Sequence, residues 1–172
     1  PEDNAEDYTV SDLKNLDFLA LVAMLDPLRP EAALAVKECQ NAGINVVMIT
    51  GDNAKTAFAI SSQLGFVTDP SQVVTGVDLK KAQDIGLAAV DKITERAKVY
   101  ARVEPTQKLD IVQSMIRNGN FVAVTGDGVN DAPALKNANV GIAMGKNGTD
   151  IAKESASIII TDDNFASIVH GV

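Results

Sequence analysis

Short apolar runs alternate along this chain with longer stretches of helical spacing, and few folds satisfy that pattern. The runs cover residues 18–25, 45–49, 98–101, 121–124, 140–143 and 157–160. Strands buried on both faces read as short unbroken apolar runs, and strands that alternate with helices build a parallel sheet packed by helices. Helices are expected over residues 30–42, 53–64 and 105–116. Pro30 and Pro105 suit a first helical turn, and Gly43, Gly65 and Gly119 suit the stops. Shorter helices are expected over 133–139, 149–154 and 163–169, with one or two more on the rim between residues 69 and 96. The fold expected is α/β, with a parallel sheet. No low-complexity stretch or linker divides the chain, so residues 1–172 read as one domain.

Charge and composition remove several functions. The chain has 172 residues, with 15 Lys+Arg against 23 Asp+Glu and a net charge of −8. A non-specific nucleic-acid binder needs a basic footprint, and an interfacial membrane helix needs a basic face. Cys39 is the single cysteine and permits no internal disulfide, which fits a reducing compartment. No apolar run approaches the roughly 20 residues that span a bilayer. The first seven residues are acidic and polar, with no signal-peptide pattern. A soluble, cytoplasmic domain is the expectation.

Two turns echo each other. Thr50-Gly51-Asp52 and Thr125-Gly126-Asp127 each follow an expected strand and precede an expected helix. Open α/β sheets bind ligands at the carboxyl ends of their strands, so both turns could face one site. Thr, Gly and Asp also make good turns and caps, which is the alternative. In Thr125-Gly126-Asp127-Gly128-Val129-Asn130-Asp131-Ala132-Pro133, the glycines allow a sharp turn close to a ligand. Asp127 and Asp131 could face one small volume and share a hard cation such as Mg2+. Alternatively, Asp131 caps the helix near Pro133 and Asp127 merely ends the strand. Lys108 falls in the first turn of the helix that Pro105 opens, where a cation is disfavoured unless an anion such as phosphate lies close. A solvated lysine is equally consistent with that position. A hydroxyl, free amides, a lysine and a carboxylate-bound Mg2+ together suit phosphoryl transfer, which depends on positioning and charge neutralisation. No nucleophile is evident.

Other chemistries are excluded. Asp131 stands where a dinucleotide fingerprint needs its third glycine. Gly141 to Asn147 has P-loop-like glycines one residue too close, and Asn147 replaces the hydroxyl residue that would meet Mg2+. His170 is the only histidine, which removes serine-type triads and multi-histidine metal sites.

The stretch from Thr125 through Asn130 and Asp131 to Lys136 resembles the hinge motif of P-type cation-transporting ATPases, a long and specific match. Asp26-Pro27-Leu28-Arg29-Pro30, Met48 to Asp52, Ala101 to Pro105 with Lys108, Gly141 to Gly145 and Thr161 to Val169 occur in that family's order. The resemblance covers residues 16–172 and is nearest to type II pumps, calcium pumps in particular. It implies the phosphorylation domain, with the haloacid-dehalogenase type of three-layer α/β/α fold, a Rossmann-like parallel sheet. It also implies roles: Asp127 as Mg2+ ligand, with Asp131 and Asn130 completing the site, and Thr50, Gly51 and Asp52 on phosphoryl group or nucleotide. Lys108 would neutralise phosphate, Arg102 would lie near the nucleotide, and Asp26 and Arg29 would sit at a hinge. Leu28 departs mildly from a common second proline.

The family's phosphorylated aspartate lies in an Asp-Lys-Thr-Gly-Thr motif that this sequence does not contain. The nucleotide-binding, actuator and transmembrane domains are absent as well. The resemblance therefore implies a segment of a longer membrane protein that uses ATP and Mg2+ and moves a cation. The segment alone is expected to be inactive. Without the motif's strand, two neighbouring strands would expose edges, and the chain is expected to dimerise or to fill the gap with its own N-terminal strand. The alternatives are a non-catalytic nucleotide- or Mg2+-binding module and a soluble haloacid-dehalogenase-like phosphatase. The latter needs a nucleophilic aspartate at a strand end near the N-terminus, but Asp17 precedes an apolar run rather than following one, and Asp26 lacks a second aspartate two residues on.

Overall fold

The computed structural model describes residues 9–10, 14, 16–22 and 27–169. Its regular elements are α1 (Pro30–Asn41), β1 (Met48–Thr50), α2 (Ala54–Gln63), β2 (Val73–Thr75), α3 (Gly76–Ile85), α4 (Leu87–Thr94) and β3 (Val99–Ala101). The chain continues through α5 (Pro105–Arg117), β4 (Ala123–Gly126), α6 (Ala132–Asn137), β5 (Val140–Met144), α7 (Asp150–Ser155), β6 (Ile158–Ile160) and α8 (Phe165–Val169). Pro30 and Pro105 open their helices as expected. Gly43, Gly65 and Gly119 follow α1, α2 and α5 with φ of 77°, 82° and 82°, a conformation that costs glycine little. The Asn53 side chain caps α2 by accepting from the Thr56 amide, and Thr75 with Asp78 forms a capping box on α3.

The strands form two parallel sheets of three, ordered β1-β3-β2 and β4-β5-β6. In the first, Met48 and Val73 both align with Val99; in the second, Ala123 aligns with Val140 and Ile142 with Ile158. β3 is flanked on both sides and wholly buried, whereas β1 is half-buried and β4 alternates between exposed and half-buried. Each sheet therefore has a strand at its edge that reads as a buried interior strand.

Two features of the expectation change. Residues 69–96 hold a strand, β2, besides the two rim helices. The strand expected over 18–25 is not formed across 18–22, and residues 23–25 lie outside the described residues. Phe18, Leu19, Leu21 and Val22 are exposed, so this stretch does not fill a sheet. The reason is pairing: an apolar run becomes a strand only where another strand takes up its amides and carbonyls.

The core lies around the first sheet. Val36 of α1, Ala57 of α2 and Val99 and Ala101 of β3 pack with Phe66 and Val67, and Phe165 of α8 packs against them from the far end of the chain. On the opposite side, Tyr100 packs among Val74, Leu79, Val103 and Ile111. Cys39 is buried in α1, as a small core residue. α4 and α5 are stitched by Asp91, which accepts from Arg117 and Ser114, and by a hydrogen bond of 2.7 Å between the Thr94 and Ser114 hydroxyls.

The Tyr100 hydroxyl has no hydrogen-bond partner among the described residues, and burial pushes its pKa far above the ordinary phenol value. A buried hydroxyl without a partner costs about 1–3 kcal/mol. Tyr100→Phe should therefore leave stability unchanged or raise it by about 1 kcal/mol, read as the urea midpoint. On acidification the sign is set by carboxylates held below their ordinary value of 3.8: Asp78 by the Thr75 hydroxyl, Asp91 by Arg117 and Asp162 by the Ser167 hydroxyl. Depressed carboxylates stabilise the fold above their unfolded pKa and lose that contribution as pH falls through the folded one. The urea midpoint should hold from neutrality down to about pH 5 and drop below about pH 4.

Candidate functional site

The turn after β4 is built around one carboxylate. Asp131 Oδ2 accepts the amides of Asp127 and Gly128, at 3.3 and 3.1 Å. Its Oδ1 accepts Lys108 Nζ at 2.6 Å, with the two side chains only 24% and 15% exposed. Gly126 makes this possible, since a Cβ there would lie 2.5 Å from Asp131 Cβ. Lys108 stands in the first turn of α5, which follows the first sheet, so this ion pair joins the two halves of the molecule. The anion beside Lys108 is a carboxylate of the chain itself. That explains a cation at a positive helix end and leaves its ε-ammonium within reach of a second anion.

Asp127 is exposed at the carboxyl end of β4, and its carboxylate has no hydrogen-bond or ion-pair partner among the described residues. Its backbone is held on both sides: Asp131 takes the amide, and the Asp127 carbonyl accepts from the Thr149 amide at 2.8 Å. Asp127 and Thr125 line a cavity of about 290 Å³ together with Arg29, Glu31, Met144, Asn147 and Asp163. A lone hard carboxylate beside a hydroxyl suits Mg2+, which takes one or two protein carboxylates and keeps its other positions for water or phosphate oxygen. Asp131 already accepts Lys108 and two amides, which leaves it fewer lone pairs for a metal. Asn130 is exposed beside them.

The second turn has its own arrangement. The Thr50 hydroxyl accepts the Asp52 amide at 3.1 Å and donates to Asp52 Oδ2 at 3.2 Å. The Asp52 carbonyl accepts the Arg102 amide at 3.0 Å, which ties the ends of β1 and β3 together. Arg102 holds φ of 53°, costly for a residue with a side chain. Its carbonyl lies where a Cβ on Gly76 would stand, at 2.3 Å, so Gly76 must stay bare. Gly51 is exposed and open. The structure thus gathers Lys108, Asp127 and Asp131 in one contact group and Thr50, Asp52 and Arg102 in another. Among the described residues no hydrogen bond or ion pair joins the two groups. Asp26 lies outside the described residues. Arg29 donates from Nη1 to the Asp163 carbonyl at 2.8 Å.

Sequence reasoning gave no role to Asp163, Asn147 or Thr149. Asp163 is only 6% exposed, has φ of 55°, and accepts the Lys146 and Asn147 amides at 2.9 and 2.8 Å. The Lys146 amide, more than any other group, holds the Asp163 carboxyl below its ordinary value. A left-handed aspartate after an apolar run gives only a weak signal in sequence.

Known proteins resemble this chain in sequence and fold. The model of the haloacid dehalogenase-like hydrolases matches residues 2–139, and a second model of the same description matches residues 107–172. Calcium-transporting ATPase 1 of Bacillus cereus is 50% identical over 159 residues, 92% of this chain and 18% of that protein. A probable cation-transporting P-type ATPase of Mycoplasma pneumoniae is 51% identical over 165 residues, 95% of this chain and 18% of that protein. The crystal structure of a zinc-transporting PIB-type ATPase in its E2.Pi state superposes with a TM-score of 0.61 at 32% identity, over 84% of this chain and 19% of that one. The chain spans about a fifth of the length of these relatives.

Replacing Lys108 by Met should cost about 1–3 kcal/mol, between an exposed pair and a fully buried one. Chemical-shift changes should reach the Asp127 and Gly128 amides, which share the Asp131 carboxylate; changes confined to α5 would contradict this reading.

Proposed function

Because this chain belongs to the haloacid dehalogenase-like hydrolase family and resembles P-type cation-transporting ATPases over nine-tenths of its length, we propose that it is part of the phosphorylation domain of an ATP-driven cation pump. In this reading it supplies the Mg2+ and phosphate half of a site where an aspartyl-phosphate forms and is hydrolysed. The observation that carries the reading is the unpaired Asp127 carboxylate at the end of β4. It is fixed through both sides of its backbone, and the Asp131 carboxylate that takes its amide also holds Lys108.

Asp127 holds Mg2+ in this reading, and bound Mg2+ supplies charge neutralisation on phosphate oxygens. Lys108 adds a second positive charge, directed by Asp131. The Thr50 hydroxyl, on turning away from Asp52, and the Gly51 amide hold a phosphoryl oxygen, and Arg102 lies toward the nucleotide. Asn130 completes the polar wall. All of this stabilises charge at fixed positions, the main resource of phosphoryl-transfer catalysis. The nucleophilic aspartate comes from a strand elsewhere in the pump, and among the described residues β1 and β4 each pair on one side only, consistent with a parallel strand between them. ATP, the transported cation and the nucleotide-binding, actuator and transmembrane domains are the partners this reading implies. Among the described residues no helix is long and apolar enough to cross a membrane, and the proposal sets this part on the cytoplasmic side of an integral membrane protein. Calcium is the cation suggested by the names of several relatives.

The test is an Mg2+ titration of the chain, followed through the amide resonances of residues 125–131. Wild-type chain should bind weakly at this turn, and Asp127→Asn should abolish the shifts. Asp131→Asn should weaken binding less, because it acts through Lys108 and the turn. The purified chain should show no Mg2+-dependent ATP turnover, since it lacks the nucleophile. Turnover at a pump-like rate would overturn the assignment, as would Mg2+ binding untouched by Asp127→Asn.

A further inference from the structure

The segment after β6 does more than end the sheet. Asp163 is buried, its backbone is left-handed, and its two carboxylate oxygens take the amides of consecutive residues, Lys146 and Asn147. Aspartate tolerates that conformation better than most residues, and firm surroundings fix it there. Here Arg29 donates to the Asp163 carbonyl, and two residues on, Phe165 packs into the core of the first sheet. Asp163 is thereby anchored to one half of the molecule while its carboxylate grips a loop of the other.

The gripped loop, residues 145–149, has little freedom. The Gly145 amide donates to the Ile160 carbonyl at 2.8 Å, and a Cβ on Gly148 would lie 2.0 Å from the Met144 carbonyl oxygen. The end of the loop, Thr149, donates its amide to the Asp127 carbonyl and caps α7 with its hydroxyl. Asp163 and Asn147 also line the same cavity as Asp127.

We propose that Asp163 is a positioning residue for Asp127: by clamping the loop 145–149 it fixes the backbone from which the Asp127 carboxylate projects. The inference rests on the reading of Asp127 as an Mg2+ ligand. Groups that orient a ligand from behind influence affinity strongly, by about 10–100-fold in metal sites. In Asp163→Asn one of the two acceptors becomes a donor facing an amide, which keeps the volume and breaks the grip.

The neighbouring Asp162 gives the control. Among the described residues its side-chain hydrogen bonds go to the Asn164 amide and the Ser167 hydroxyl. Asp162→Asn therefore loosens the same segment while leaving the Lys146 and Asn147 amides on Asp163. With Mg2+ alone as probe and amide resonances of the 172-residue chain as readout, Asp163→Asn should weaken binding about tenfold. Asp162→Asn should leave affinity within about twofold, even where it lowers thermal stability; that margin is under 0.5 kcal/mol by the conversion of about 1.4 kcal/mol per tenfold. In wild-type chain, saturating Mg2+ should slow hydrogen exchange at the Lys146, Asn147 and Thr149 amides, because coupling between two sites is reciprocal. That measurement decides the matter even where Asp163→Asn fails to fold. Equal Mg2+ affinity in the two asparagine variants, or exchange indifferent to Mg2+, overturns the role of Asp163 while leaving Asp127 as a ligand. Mg2+ binding that survives Asp127→Asn overturns both.

Discussion

The ion pair between Lys108 and Asp131 is the contact on which the rest of the site depends. It crosses from the helix after the first sheet to the turn after the second, and both of its side chains are largely withdrawn from water. Removing charge from water is costly, and the pair is retained because each partner has further work. Asp131 also collects two amides that would otherwise lack acceptors, and those amides define the turn that presents Asp127. Gly126 permits the approach, and the pair then sets the separation of the two sheets at this point. Without it, Asp131 would lose the cation that orients it, and the turn that presents Asp127 would lean on the Thr149 amide alone from the other side.

A second constraint acts from the opposite side. The first sheet carries the larger core, and the second is tied to it through α5, through α1 and through α8, whose Phe165 crosses into the first sheet's core. The candidate site thus sits where two half-sheets meet rather than on either one. Such a site can be tuned by small changes in how the halves approach each other, because tightly packed elements transmit displacement instead of absorbing it. The left-handed residues Arg102 and Asp163 are found at this junction, one in each half's connecting loops.

Much of the fold was legible because its signals are local. Pro30 and Pro105 start helices, glycines with positive φ stop them, and apolar runs mark β1, β3, β4, β5 and β6 within a few residues. β2 was missed because its apolar run is only Val73-Val74 and it lies between helix-forming stretches. The run over 18–22 failed in the opposite way: its composition says strand, but strands exist only in pairs. At the site, Thr50, Lys108, Asp127 and Asp131 were visible as residue types at strand ends and helix starts. What remained hidden was who pairs with whom. Lys108 read as half of a phosphate site or as a solvated lysine, and its partner proved to be Asp131. Asp163 carries no local signature beyond the tolerance of aspartate for left-handed backbone, because its partners lie 16 and 17 residues away.

The strand order of the first sheet bears on how the molecule is made. β3 lies between β1 and β2, yet it follows both in the chain. During vectorial synthesis the first two strands emerge with no neighbour to pair with, and their apolar faces must wait until residues 99–101 arrive. The second sheet follows chain order, so each new strand can dock on its predecessor as it appears. Non-local pairing that must await a later segment is slow and leaves sticky surface open in the meantime. A nascent chain of this sequence is therefore most in need of chaperone protection before β3 emerges, and much less so afterwards.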